Sequence, residues 1–165
     1  MFRVQIPLKT GIYTYTFEIE NDKMLGIFVK KTMREASNDF VKFWMEDGIM
    51  YSRFLKEVQL DLECIQEFIQ FRHEFSQGEK QYWLHDLNGL KIMTKDAKEY
   101  GDKYGQEFLH AGAIIVHTHL QKFLFNTFII VKKPTVKTSI FTNKESAKKW
   151  LLEQKQKSFH QEKNK

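Results

Sequence analysis

Cysteine occurs once in this chain of 165 residues, at Cys64. A lone thiol closes no internal disulfide, so no disulfide framework and no oxidising compartment is implied; within a helical pattern it reads as an ordinary helix residue. Proline is nearly as scarce, with two residues, and little interrupts the secondary structure. No stretch approaches eighteen consecutive apolar residues, and the start Met1-Phe2-Arg3-Val4-Gln5 has no basic region followed by an apolar run. A transmembrane segment and a leader are therefore not expected, and the expected location is the cytoplasm.

Catalytic signatures are missing as well. There is no Gly-x-Ser-x-Gly elbow, no His-Glu-x-x-His helix, no Cys-x-x-Cys pair and no Gly-rich phosphate cradle, since Gly101 and Gly105 fall inside a helical pattern. A nucleotide-dependent enzyme is excluded, and neither catalysis nor a cofactor is expected. A net charge of +5 is compatible with a nucleic-acid partner, but much of it comes from Lys144, Lys148, Lys149, Lys155, Lys157, Lys163 and Lys165 at one end. Such a run is ordinarily a solvated helix face, and no aromatic and basic interleaving accompanies it. Nucleic acid is not an expected partner.

What the chain does have is 42% apolar and 15% aromatic residues, enough for one core and one domain. Tyr13, Tyr15, Phe17 and Ile19 alternate with polar residues, Asn21-Asp22 supplies a turn, and Leu25, Ile27 and Val29 resume the alternation. Residues 1–39 thus read as an N-terminal extension built on a β-hairpin, closing in a polar link from Arg34 to Asp39. A second hairpin follows, with Phe40 to Met45 and Ile49 to Leu55 flanking an Asp47-Gly48 turn.

Beyond it, Ile65, Phe68, Ile69, Arg72 and Phe75 have helical spacing, with Gly78 as the stop. Tyr82 to Leu87 reads as a strand, and Thr94 caps a helix carrying Ala97, Tyr100, Tyr104 and Phe108. Ala113 to His117 is the next strand, Leu120 to Phe128 an apolar helix, and Val136 to Phe141 the last strand. Thr142 with Glu145 forms a capping box for a final helix burying Ala147, Trp150 and Leu151. From Gln156 to Lys165 a polar, basic tail is expected to fray. Alternating strands and helices predict an α/β fold with a mainly parallel sheet behind an antiparallel N-terminal hairpin.

Across 40–155, the phrases Trp44-Met45-Glu46-Asp47-Gly48-Ile49, Leu84-His85-Asp86-Leu87-Asn88-Gly89-Leu90, Ala111-Gly112-Ala113-Ile114-Ile115-Val116 and Ile140-Phe141-Thr142-Asn143-Lys144-Glu145-Ser146-Ala147-Lys148-Lys149-Trp150-Leu151 occur in one order. In that order the chain resembles the SpoIIAA-like proteins, whose fold is shared by STAS and lipid-handling CRAL-TRIO domains, and within them an uncharacterised bacterial branch. The resemblance implies a non-enzymatic regulatory or protein-interaction module with a protein partner. In the anti-sigma-factor antagonists of that superfamily, a serine just after the Asp of the corresponding strand is phosphorylated. Here Asn88 stands in that loop and cannot accept a phosphoryl group, leaving Thr94 or Thr118 as substitutes.

The residues expected to meet the partner are Asp86, Asn88, Gly89 and Thr94. Asp86 also has a plainer role, accepting hydrogen bonds from the N–H groups of its own loop. A metal-enzyme alternative draws on His117 and His119, with Asp86 and His85 on the neighbouring strand, because imidazole plus carboxylate suits zinc, iron or nickel. No third committed ligand accompanies them, and no metal is expected. A further alternative is binding of an apolar small molecule or lipid by Phe123, Leu124 and Phe128, since residues 120–130 are apolar on more than one face. The expected assembly is a homodimer.

Overall fold

The computed structural model describes the backbone of residues 2–8, 11–22, 26–132 and 134–163, with side chains over 34–123, 125–126 and 134–160 together with Gln5, Ile12 and Thr14. In chain order the elements are β1 (Phe2–Leu8), β2 (Gly11–Asp22), β3 (Gly26–Ser37), β4 (Val41–Glu46), β5 (Ile49–Phe54), β6 (Val58–Leu60), α1 (Leu62–Ser76), β7 (Gln81–Asp86), β8 (Leu90–Met93), α2 (Lys95–Tyr104), β9 (Leu109–Ile115), α3 (His119–Lys132), β10 (Lys137–Phe141) and α4 (Lys144–Lys163). One eight-stranded sheet has the order β1-β2-β3-β4-β5-β7-β9-β10. Its strands are antiparallel from β1 to β5 and parallel from β5 to β10. The fold is α/β, with an antiparallel N-terminal part leading into a parallel sheet.

Local chemistry accounts for most boundaries. Asp47 and Gly48 both have positive φ, 55° and 70°, the combination that lets a two-residue turn follow the strands' right-handed twist. Asp61 caps α1 by accepting from the Cys64 N–H at 2.9 Å. The helix ends on Gln77 in the left-handed region, one residue before Gly78. On one side of the sheet α1 packs Phe68, Phe71 and Phe75 around Phe43, with ring centroids 5.4–5.7 Å apart. On the other side α4 buries Ala147 and Leu151 against Ile49, Tyr51, Leu84 and Ala113.

Several boundaries differ from those read in the sequence. Arg34 to Ser37 is strand: Glu35, Ala36 and Ser37 pair with Trp44, Phe43 and Lys42, so the N-terminal extension joins the sheet edge to edge. It also carries β1, paired along its length with β2. Phe108 lies outside α2 with φ 54°, and β9 starts at Leu109 and ends before His117. The short strands β6 and β8 pair in parallel apart from the main sheet. Asn143, one residue after Thr142, caps α4 by accepting from the Ser146 N–H at 2.8 Å. The helix continues past Gln156 to Lys163.

Candidate functional site

Asp86 is the last residue of β7, and its register places it beside Arg53 of β5 and Ile115 of β9. The Leu87 N–H extends the ladder by donating to the Ile115 carbonyl at 3.0 Å, and the Leu87 side chain is buried. The chain then turns back, with the Leu90 N–H donating to the Leu87 carbonyl at 3.1 Å. Gly89 takes φ 90°, and a Cβ there would lie 2.7 Å from the Lys56 carbonyl oxygen, so conformation and space both require glycine. Its own carbonyl accepts from the Val58 N–H at 2.9 Å, tying the turn to β6. Asn88 is left exposed at the tip.

The Asp86 carboxylate holds this turn from inside. Oδ1 accepts from the Asn88 N–H at 2.9 Å and lies 2.5 Å from His117 Nε2. The local role read for Asp86 is therefore present, and so is its meeting with His117 across two strand ends. Both side chains are partly exposed, 31% for Asp86 and 41% for His117. Gln121 completes the arrangement: its Oε1 accepts from the His117 N–H at 2.9 Å, and its Nε2 donates to the Leu90 carbonyl at 3.2 Å. Thr118 caps α3 by accepting from the Gln121 N–H at 3.1 Å. Gln121 was missed in the sequence although Thr118-x-x-Gln121 has the spacing of a capping box, a signal that was available.

The other candidates lie apart. Thr94 sits at the far end of β8, roughly 13 Å along the strand from the turn at the usual rise per residue. It caps α2, accepting from the Ala97 N–H at 3.4 Å and donating to the Asp96 carboxylate. Thr94 and Thr118, the two substitute hydroxyls, are thus both engaged as helix caps. His119 is exposed on the first turn of α3. His85 points to the opposite face of the strand from Asp86, where it is 7% exposed. Of the four groups weighed for metal, only Asp86 and His117 come together, and among the described residues no three His, Cys, Asp or Glu side chains are grouped to hold an ion. Phe123 is 67% exposed, and the side chains of Leu124 and Phe128 lie outside the described residues.

Burial and ion pairing set the remaining chemistry. Cys64 has its thiol pushed up by burial, away from the thiolate that reactivity needs. At the β4–β5 turn, Lys148 of α4 lies 2.7 Å from Asp47 and 3.4 Å from Glu46, which lowers the Asp47 carboxyl and raises the lysine. No helix among the described residues is long and apolar enough to cross a membrane.

The chain is similar to a solved structure, that of an uncharacterised protein of the DUF3478 family with a SpoIIAA-like fold from Shewanella loihica PV-4. The two share 17% identity over 83% of this chain and 93% of that one, with a TM-score of 0.48. No curated protein matches the chain. Residues 43–155, from the middle of β4 through most of α4 and including the whole Asp86 turn, match a family described as a domain of unknown function, DUF7793. The chain belongs to the DUF7793 family.

Proposed function

We propose that the protein is a non-enzymatic regulatory module of STAS-like type, acting in the cytoplasm as a homodimer, whose protein partner reads the turn from Asp86 to Gly89. The observation that supports this most is the bracing of an exposed turn. Asp86, Gln121 and the Val58 N–H fix its backbone from three sides, while the Asn88 side chain stays in water. A preformed surface loses little entropy on binding, and the carboxyl ends of parallel strands are where open α/β sheets commonly bind. With an amide at position 88 the contact is made without phosphorylation of that residue. Thr94 marks the far margin of the surface.

The test is Asn88→Arg, which places a long cation at the tip without touching the bracing contacts. Binding of the physiological partner is expected to fall at least about tenfold, with thermal stability unchanged. Retention of every partner interaction by this variant overturns the proposal.

A second reading has its own observation. Leu120 and Phe123, three residues apart and so on one face of α3, are each 67% exposed. An apolar small molecule or lipid would cover them. Native mass spectrometry of gently purified protein should then show a retained mass that Phe123→Asp releases; a bare chain in both samples removes this reading.

A further inference from the structure

The apolar face of α1 carries one charged residue. Arg72 follows Phe68 by one turn, precedes Phe75, and is wholly buried, at 0% exposure. Its guanidinium carbon lies 4.9 Å from the centroid of the Trp83 ring, and Nη2 donates to His73 Nε2 at 3.0 Å. Nε and Nη1 are buried with no hydrogen-bond partner among the described residues. Burial brings the pKa down to about 10, which still leaves the group cationic at neutral pH. The Trp83 face attracts the cation but offers nothing to the N–H bonds in the guanidinium plane.

The neighbouring polar groups supply no anion. Trp83 Nε1 donates to Ser52 Oγ at 2.8 Å, and Ser52 Oγ lies 2.8 Å from His85 Nδ1. The Ser52 hydroxyl accepts from the indole and pairs with a neutral imidazole, so neither it nor His85 carries a negative charge. The side chains packed around Arg72 between α1 and the sheet therefore offer its free N–H groups no carboxylate. Glu107 is the carboxylate that acts on Arg72 through space, yet it is half exposed and sits 3.7 Å from His73 Nε2.

We propose that a small monocarboxylate binds at Arg72, its oxygens accepting from Nε–H and Nη1–H. The buried cation and its two unmade hydrogen bonds call for an acceptor, and a single negative charge neutralises the site. A phosphate dianion would leave a net negative charge in the interior, and a water molecule would satisfy the N–H groups but not the charge. His73, which holds Nη2, is partly exposed and meets the Phe108 ring edge to face, with centroids 4.9 Å apart.

The experiment is thermal unfolding of the full chain in sodium acetate, with sodium chloride and sodium phosphate at matched ionic strength. Acetate alone is expected to raise Tm, increasingly above its dissociation constant. Arg72→Lys, which keeps the charge but loses the planar fork, should bind at least about tenfold more weakly, and Glu107→Gln, which removes a repelling charge, should bind more tightly. Absence of an acetate-specific rise, its persistence in Arg72→Lys, or a preference for phosphate overturns the proposal. Should Arg72→Lys not fold, acetate titration of the wild-type chain decides by NMR: the Trp83 indole N–H resonance must shift on binding, and a resonance that stays in place overturns it.

Discussion

His85 and Asp86 are consecutive in the chain and occupy different media. Strand alternation sends His85 into the space under α1, where Ser52 and Trp83 are its polar and aromatic neighbours. It sends Asp86 to the open end of the sheet, where its contacts are His117 and the backbone of its own turn. Each region contains an imidazole paired with an oxygen. In the interior, burial pushes His85 down to about 4, so the ring is neutral and pairs with the Ser52 hydroxyl. At the rim, the Asp86 and His117 side chains keep about a third of their surface in water, and the pair fixes a loop that remains reachable. An imidazole thus supports packing on one face of β7 and, paired with a carboxylate, braces an exposed turn at its end.

The comparison can be tested from the interior outward. The largest expected effect is on pH-dependent stability. Between pH 6.5 and about 4 the unfolded chain protonates His85 while the folded chain does not, so the unfolded state binds more protons and stability falls as pH falls. The loss through that window should reach about 3 kcal/mol in urea titrations, and His85→Gln should remove it. An undiminished slope in that variant would place the titration elsewhere. Ser52→Ala leaves the Trp83 indole N–H and His85 Nδ1 without their partner and should cost about 2–3 kcal/mol by the same measurement.

At the rim the effects on folding shrink and the effects on binding grow. Gly89→Ala meets both the positive φ and the Lys56 carbonyl, for an expected loss of about 2 kcal/mol. Asp86→Ala removes a partly exposed pair and should cost about 1 kcal/mol, yet weaken partner binding about tenfold, because the turn loses its internal brace. A loss of stability at Asp86 as large as at Ser52 would show that the two regions are not distinct in kind.

The parts legible in the sequence share a property, which is that a short local signal decides them. Asp47-Gly48 dictates its hairpin through backbone conformation, and the meeting of Asp86 with His117 follows once two strands pair in parallel. The parts that were not legible depend on contacts distant in sequence. Phe108 continues the helical spacing of Tyr100 and Tyr104, but α2 stops at Tyr104 and Phe108 turns into the left-handed region to cover His73. Arg34-Glu35-Ala36-Ser37 looks like a linker because its one apolar side chain is small, and pairing with β4 makes it strand. Strands β6 and β8, three and four residues long, exist through pairing with each other. Arg72 was visible as a member of the helical stripe, but its complete burial follows from the packing of α1 on Trp83.

The claim that the Asp86 to Gly89 turn is a recognition surface is tested most directly by site-specific photocrosslinking. A photoreactive residue is placed at position 88 in one sample and at position 153 in the other, an exposed site on α4 across the sheet. The account predicts a discrete protein partner crosslinked from position 88 and not from 153, and lost when Asp86→Ala is added. Equal crosslinking from both positions, or none from position 88, would contradict it.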